Sequence, residues 1–192
     1  MIRFWPASDA SFKLDRDGFV RAYQEAFSRA PYLKKYSREE ILQRVWYPNV
    51  RDGIVILALE DERVVGFGCA LPLLKAPADV QAFLRSAART SRLSIDLGRT
   101  WYMSELGVLG THRGRGLGSA LIKHRLLTIH HRGGNHYIAR TAAKEPNSIG
   151  LYRRIGAVGL NGLQDVSASK QAQVYFYGEC NSAIKKLIAP AA

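Results

Sequence analysis

Apolar residues recur at helical spacing early in the chain. Phe19, Val20, Tyr23, Ala26 and Phe27 share one face, and Pro31 ends the run. The spacing predicts an amphipathic helix from Arg16-Asp17 to about Arg29. Ser37 followed by Glu40 has capping-box spacing and opens a second helix that turns Ile41, Leu42 and Val45 inward, closed by Pro48 and Gly53. Then the period changes. Residues 54–59 form an apolar, β-branched run of strand length, and 64–71 form another beyond the charged turn Glu60-Asp61-Glu62-Arg63. The pair predicts a β-hairpin whose glycines mark a bulge or a close backbone approach.

From Pro72 to Thr100 the pattern weakens. A short helix from about Asp79 to Arg89 would bury Val80, Phe83, Leu84 and Ala87, and the rest reads as a connecting insertion. It sharpens again at Trp101–Leu109, a strand, followed by the glycine-rich stretch from Gly110 to Gly118. A helix is expected over Leu117–His131, stopped by Gly133-Gly134. His136–Ala142 is the next strand, Asn147 is placed to cap a short helix reaching Ile155, and Gly156 stops it. Ala157–Leu160 and Gln173–Gly178 supply two last strands. The order helix, helix, hairpin, strand-helix-strand-helix-strand-strand predicts a mixed α/β chain, a single domain over 1–192 with an insertion at about 72–100.

Composition narrows the function classes. With 192 residues, 47% hydrophobic and 23% charged, the chain can bury a full core without staples. No apolar run approaches the ~18 residues of a membrane-crossing helix, and the N-terminus lacks a signal-peptide pattern. Cys69 and Cys180 stand alone and far apart, which excludes a disulfide scaffold and a cysteine-built zinc site. His112, His124, His130, His131 and His136 include no i, i+4 pair, so no metal is expected and most of them read as solvated helix residues. The expectation is a soluble cytoplasmic protein with no membrane partner.

Charge changes the picture. The net charge is +12, and Thr111–Leu160 carries nine Lys/Arg against the single acid Glu145. An anionic partner fits that window: a phosphate-rich cofactor, a nucleic acid or an acidic surface. Basic side chains solvating two helix faces would give the same count. The absence of RNP-like or zinc-finger patterns argues against nucleic acid, as does the lack of aromatics interleaved with the basic run. A basic nucleic-acid-binding module is carried as the alternative.

Strand, glycine turn, helix is a phosphate-binding order. Gly114, Gly116 and Gly118 carry no Cβ, so the backbone can approach an anion, with helix-start amides and the helix dipole behind it. Arg113 and Arg115 add attraction. A P-loop is excluded because no Gly-Lys-Ser/Thr follows, and Gly114-x-Gly116-x-Gly118 has the wrong third spacing for a dinucleotide fingerprint.

In these residues the sequence resembles the GNAT superfamily of N-acetyltransferases. Its acetyl-CoA diphosphate motif, Gln/Arg-x-x-Gly-x-Gly/Ala, stands here as Arg113-Gly114-Arg115-Gly116-Leu117-Gly118 after the strand Glu105-Leu106-Gly107-Val108. A second family block, an Asn, then a short helix ending in Leu-Tyr and a Gly, stands as Asn147 through Leu151-Tyr152 to Gly156. Gly110, where Pro is common, and Gly150, where Ala is common, are departures that leave the phosphate logic intact.

The resemblance implies an α/β fold with a central mixed sheet of six to seven strands flanked by helices on both faces. It implies an acyltransferase that moves an acetyl group from acetyl-CoA, without metal, to a primary amine on a small molecule or a protein. Leu106, Val108, Arg113, Gly114, Arg115, Gly116, Leu117, Gly118, Ser119, Asn147 and Tyr152 would touch the cofactor. The Val108 N–H, at a splay in the strand, would face the thioester carbonyl. Tyr152 would protonate the leaving thiolate, although a phenol packed in the core has the same spacing. Glu105 is the one acid between Asp96 and Glu145. It would serve as base, directly or through water, or hold an ammonium group; a strand carboxylate paired with an arginine is the alternative. Ser104, on the opposite strand face, or a water is the fallback base. In the family the junction of the first two helices walls the acceptor pocket, and Tyr32, Tyr36, Trp46 and Tyr47 lie there, where ordinary packing also accounts for them. Dimers are common in the family, which leaves a homodimer open, as is a non-catalytic acyl-CoA sensor of the same fold.

Overall fold

The computed structural model of the protein describes residues 1–7, 13–28, 32–90, 95–160 and 172–189. Its strands are β1 (Ile2–Ala7), β2 (Ile54–Glu60), β3 (Arg63–Pro72), β4 (Thr100–Val108), β5 (His136–Ala142), β6 (Val158–Gly159) and β7 (Gln173–Glu179). The α-helices among the described residues are α1 (Lys13–Ser28), α2 (Arg38–Ile41), α3 (Tyr47–Asp52), α4 (Ala78–Thr90), α5 (Leu117–His131), α6 (Pro146–Arg154) and α7 (Cys180–Ile188). The sheet is seven-stranded in the order β1-β2-β3-β4-β5-β7-β6. It is mixed: β4 and β5 run parallel, while β1–β2, β2–β3, β5–β7 and β6–β7 are antiparallel. Packing divides the chain into two compact units, Met1–Ala70 with Glu105–Thr128, and Leu71–Ser104 with Ile129–Ala192.

In the first unit β2 is buried from Ile54 to Leu59, which is why its apolar run does not alternate. The hairpin turn puts Asp61 and Glu62 at φ 48° and 61°, the left-handed pair of a tight two-residue turn. The expected bulge is present: Ala58 faces Gly66 but Leu59 faces Val64, so Val65 is the extra residue. β3 is covered on both faces. Phe67 meets α1, its ring 4.9 Å from Phe19. Gly66 admits α5, since a Cβ there would lie 3.2 Å from the Leu121 side chain.

Two features of this unit differ from expectation. β1 precedes the first helix; six residues with Pro6 among them carry a weak strand signal, and Pro6 is tolerated because β1 lies at the sheet edge. The second helix does not close at Pro48. A π-turn over Leu42–Trp46 intervenes, the Tyr47 N–H reaching back to the Leu42 carbonyl, and helix resumes to Asp52 before Gly53. Proline has no N–H to give, and the Asn49 amide side chain donates to the Val45 carbonyl at 2.7 Å.

In the second unit the 72–100 segment makes core. Val80, Phe83, Leu84 and Ala87 of α4 meet Tyr102, Ile138 and Tyr175 on the strands, with the Phe83 ring stacked 3.6 Å from Tyr175. Arg140 on β5 pairs with Asp79 at the start of α4 and lies 6.0 Å from the Tyr102 and Tyr175 ring centroids. α7 was not anticipated: it starts directly at the end of β7 and buries only Cys180, Ala183 and Ile184. Both cysteines are free and buried, and burial pushes the Cys180 thiol up to about 12. No helix among the described residues is long and apolar enough to cross a membrane.

Candidate active site

The glycine stretch folds as a short nest ahead of a helix. Leu109 donates its N–H to the carbonyl of the bulged Val65 at 3.0 Å, fixing where the chain leaves β4. A 3₁₀ turn, Gly110–His112, follows. Gly114 and Gly116 then take φ 77° and 76°, a left-handed conformation that glycine adopts without a Cβ penalty. Open space lies beside both: a Cβ at either would meet nothing within 4 Å. The first helical bond here is from the Ala120 N–H to the Gly116 carbonyl at 3.0 Å, so the Leu117, Gly118 and Ser119 amides precede the α5 ladder. Arg113, Gly114, Arg115 and Gly116 are exposed while Leu117 is buried as the anchor. Nε of Arg113 donates to the Val108 carbonyl at 3.1 Å, folding the first basic side chain back on β4. Backbone that can approach an anion, amides free of the α5 ladder and the exposed Arg115 in the same loop fit a diphosphate.

Glu105 begins the part of β4 that belongs to the first unit. Alternation puts it on the same strand face as Gly107, and a Cβ on Gly107 would lie 2.2 Å from the Phe67 ring, so this is the α1 face. There the Tyr23 hydroxyl donates to Glu105 Oε2 at 3.3 Å. Burial, then the Glu105 charge, holds the Tyr23 phenol far above its ordinary range, so it stays a donor. Tyr23 sits in a ring cluster, stacked on Phe67 at 5.4 Å and meeting Phe27 at 4.6 Å and Tyr36 at 5.4 Å. The rings grade outward from Phe67, fully buried, through half-buried Phe27 to half-buried Tyr36 and Tyr32. Trp46 is plain core against Phe19.

Behind Glu105, on the α5 side, lies Arg125. It is 0% exposed, and its Nη1 donates to the Cys69 and Glu105 carbonyls, both at 3.0 Å. One guanidinium thus ties β3 to β4 at the candidate base. Gly68 makes the room, since a Cβ there would lie 2.7 Å from Nε of Arg125. Nε and Nη2 have no hydrogen-bond partner among the described residues. The Cys69 thiol is pushed up by burial and by Glu105, while Arg125 pulls it down. Sequence reasoning missed this residue by counting it as surface charge; its signal was the register Leu121, Ile122, Arg125, Leu126, which puts Arg125 on the apolar stripe.

Tyr152 and Asn147 belong to the second unit. Tyr152, on α6, is 4% exposed and stacked on Phe176 at 5.5 Å. Asn147 does not cap α6. Glu145 holds that position without a side-chain cap bond, Pro146 opens the helix, and Asn147 is one residue inside and exposed. The histidines are less solvated than expected: His112 bonds Glu60, His124 stacks on Phe4 at 4.3 Å, and His136 stacks on Tyr177 at 5.4 Å. No cluster able to hold a metal ion occurs among the described residues.

A sequence model of the acetyltransferase (GNAT) family matches residues 17–157. The chain belongs to the GNAT acetyltransferase family. Solved structures carry the same fold at low identity. An N-acetyltransferase from Staphylococcus aureus superposes with a TM-score of 0.67 at 15% identity, over 94% of this chain and 99% of that one. A ribosomal-protein-alanine N-acetyltransferase from Brucella melitensis gives 0.65 at 17%, over 93% and 99%. A Salmonella typhimurium protein solved with its cofactor acetyl-CoA gives 0.65 at 16%, over 100% and 96%. No curated protein matches the sequence. The family match spans the glycine loop in the first unit, where Leu106 and Val108 lead into Arg113–Ser119, and the Asn147–Gly156 block in the second.

Proposed function

We propose that this GNAT protein is an acetyl-CoA-dependent N-acetyltransferase acting on an amine of a small molecule or a protein. The observation that carries the proposal is the pair of left-handed glycines, 114 and 116, opening onto free space at the start of α5 within the family's motif. Acetyl-CoA supplies the activated acetyl thioester. The amides of residues 114–119 and the Arg115 guanidinium hold its diphosphate, and Leu106, Val108 and Asn147 are assigned to the pantetheine arm.

An amine attacks only through an unprotonated nitrogen. Glu105 is assigned the proton, taken directly or through a water, and the Tyr23 hydroxyl and the Arg125 grip on its carbonyl hold it in place. The nitrogen lone pair forms the C–N bond as its proton passes to Glu105, the C–S bond breaks, and the sulfur leaves as a thiol by taking a proton, the donor role that the family resemblance gives to Tyr152. The Val108 N–H is assigned the carbonyl oxygen as charge builds on it. The half-buried rings of Phe27, Tyr32 and Tyr36, which continue outward from Tyr23, the partner of Glu105, support an acceptor whose amine sits beside apolar or aromatic surface.

Release of the CoA thiol, followed with acetyl-CoA against a panel of small amines, amino acids and peptide N-termini, tests the proposal. Amine-dependent release is expected for at least one class. Binding of CoA without release for any class would make the protein a sensor and overturn the catalytic assignment.

A further inference from the structure

The glycine loop is tied to the sheet by a side chain outside the family motif. His112 ends the 3₁₀ turn just before Arg113, and its side chain is 13% exposed. Its Nε2 lies 2.9 Å from Glu60 Oε2 and its Nδ1 lies 2.8 Å from Thr111 Oγ1. A carboxylate only accepts, so Nε2 carries a proton, and both ring nitrogens are engaged. Glu60 is the last residue of β2, the strand at whose end the hairpin turns. Its carboxyl is held below the usual range, first by the His112 hydrogen bond and then by the charges of His112, the amino terminus and Arg115. An acid beside an anion-binding loop is otherwise unexpected, because its charge repels the ligand.

We propose that His112 and Glu60 are positioning residues for the cofactor loop, latching residues 110–113 to the end of β2 so that the Gly114–Ser119 amides stand ready for the diphosphate. The inference rests on the cofactor assignment above. A loop with two left-handed glycines and open space around them has many conformations to lose on binding, and a latch at its entry removes part of that cost. Arg113, bonded to the Val108 carbonyl, is the second fixed point.

The sign of one substitution separates a latch from a nearby charge. If Glu60 acted only through its charge, Glu60→Ala would tighten binding of an anion. As part of the latch, Glu60→Ala weakens it. Calorimetric titration of CoA into the full chain is expected to give a Kd raised by about tenfold in Glu60→Ala and in His112→Ala. The double variant should be no worse than either alone, as for groups that act as a unit. Glu60→Gln keeps an acceptor for Nε2–H and is expected to restore binding to within about threefold. The affinity for pantetheine, which lacks the diphosphate, should be unchanged throughout, whereas general damage to the fold would lower both. Unchanged or tighter CoA binding in Glu60→Ala, or unchanged binding in His112→Ala should the former not fold, overturns the latch alone. A wild type that does not bind CoA overturns the cofactor assignment as well.

Discussion

The glycine loop and the Glu105 cluster share the first unit and one strand, yet they are built by opposite means. The loop is backbone: left-handed glycines, amides ahead of a helix and solvent on the open side. The Glu105 cluster is side chain: a carboxylate with a phenol in front, a buried guanidinium behind and aromatic rings packed on the phenol. A backbone site tolerates many side-chain changes and fails when Cβ atoms are added. A side-chain site fails when single polar atoms are removed. The loop should therefore govern cofactor affinity and the cluster should govern turnover.

The largest separation is expected from Glu105→Gln. Losing a general base should lower kcat/KM by about 10² to 10⁴ with the Kd for CoA unchanged; matched losses in both would break the division. Gly116→Val is the mirror case. A β-branched residue is strained at φ 76°, and CoA should lose about 100-fold in affinity or fail to raise the Tm at all, while the apo protein stays folded. Arg125→Met leaves the Cys69 and Glu105 carbonyls without their donor, which should cost about 3 kcal/mol in denaturant unfolding. A cost near zero would mean that the tie between β3 and β4 contributes nothing.

The smallest effect belongs to Tyr23→Phe. At 3.3 Å the hydroxyl bond is long, and removing it should lower kcat/KM by about fivefold. The sign with pH follows from what the bond favours: it stabilises the ionised carboxylate, so its loss moves the acid limb of the kcat/KM profile to higher pH. Tyr23 itself is held protonated by burial, so the alkaline limb should be the same in both forms.

Much of this fold is legible in the amino-acid sequence. The hairpin with its bulge, α5 from Leu117 to His131 and the position of α4 followed from apolar period and glycine placement alone. The loop was legible for the same reason, since a backbone site needs glycines at fixed spacing. Of the side-chain site only Glu105 was, because Tyr23, Cys69 and Arg125 are far from it in sequence and join it only through folding. Charge counting overstates the basic surface for the same reason: Arg125 is buried, and Arg140 is paired with Asp79 beside two tyrosines. The cap of α6 lies two residues before Asn147, at Glu145, because Pro146 is the better opening residue for the helix. β1 and α7 escaped because six and nine residues carry too little periodicity to stand out.

A crystal structure of the protein grown with CoA addresses the cofactor cradle most directly. The account expects diphosphate oxygens within hydrogen-bonding distance of backbone N–H groups between Gly114 and Ser119. Density for the diphosphate on any other part of the chain would contradict it.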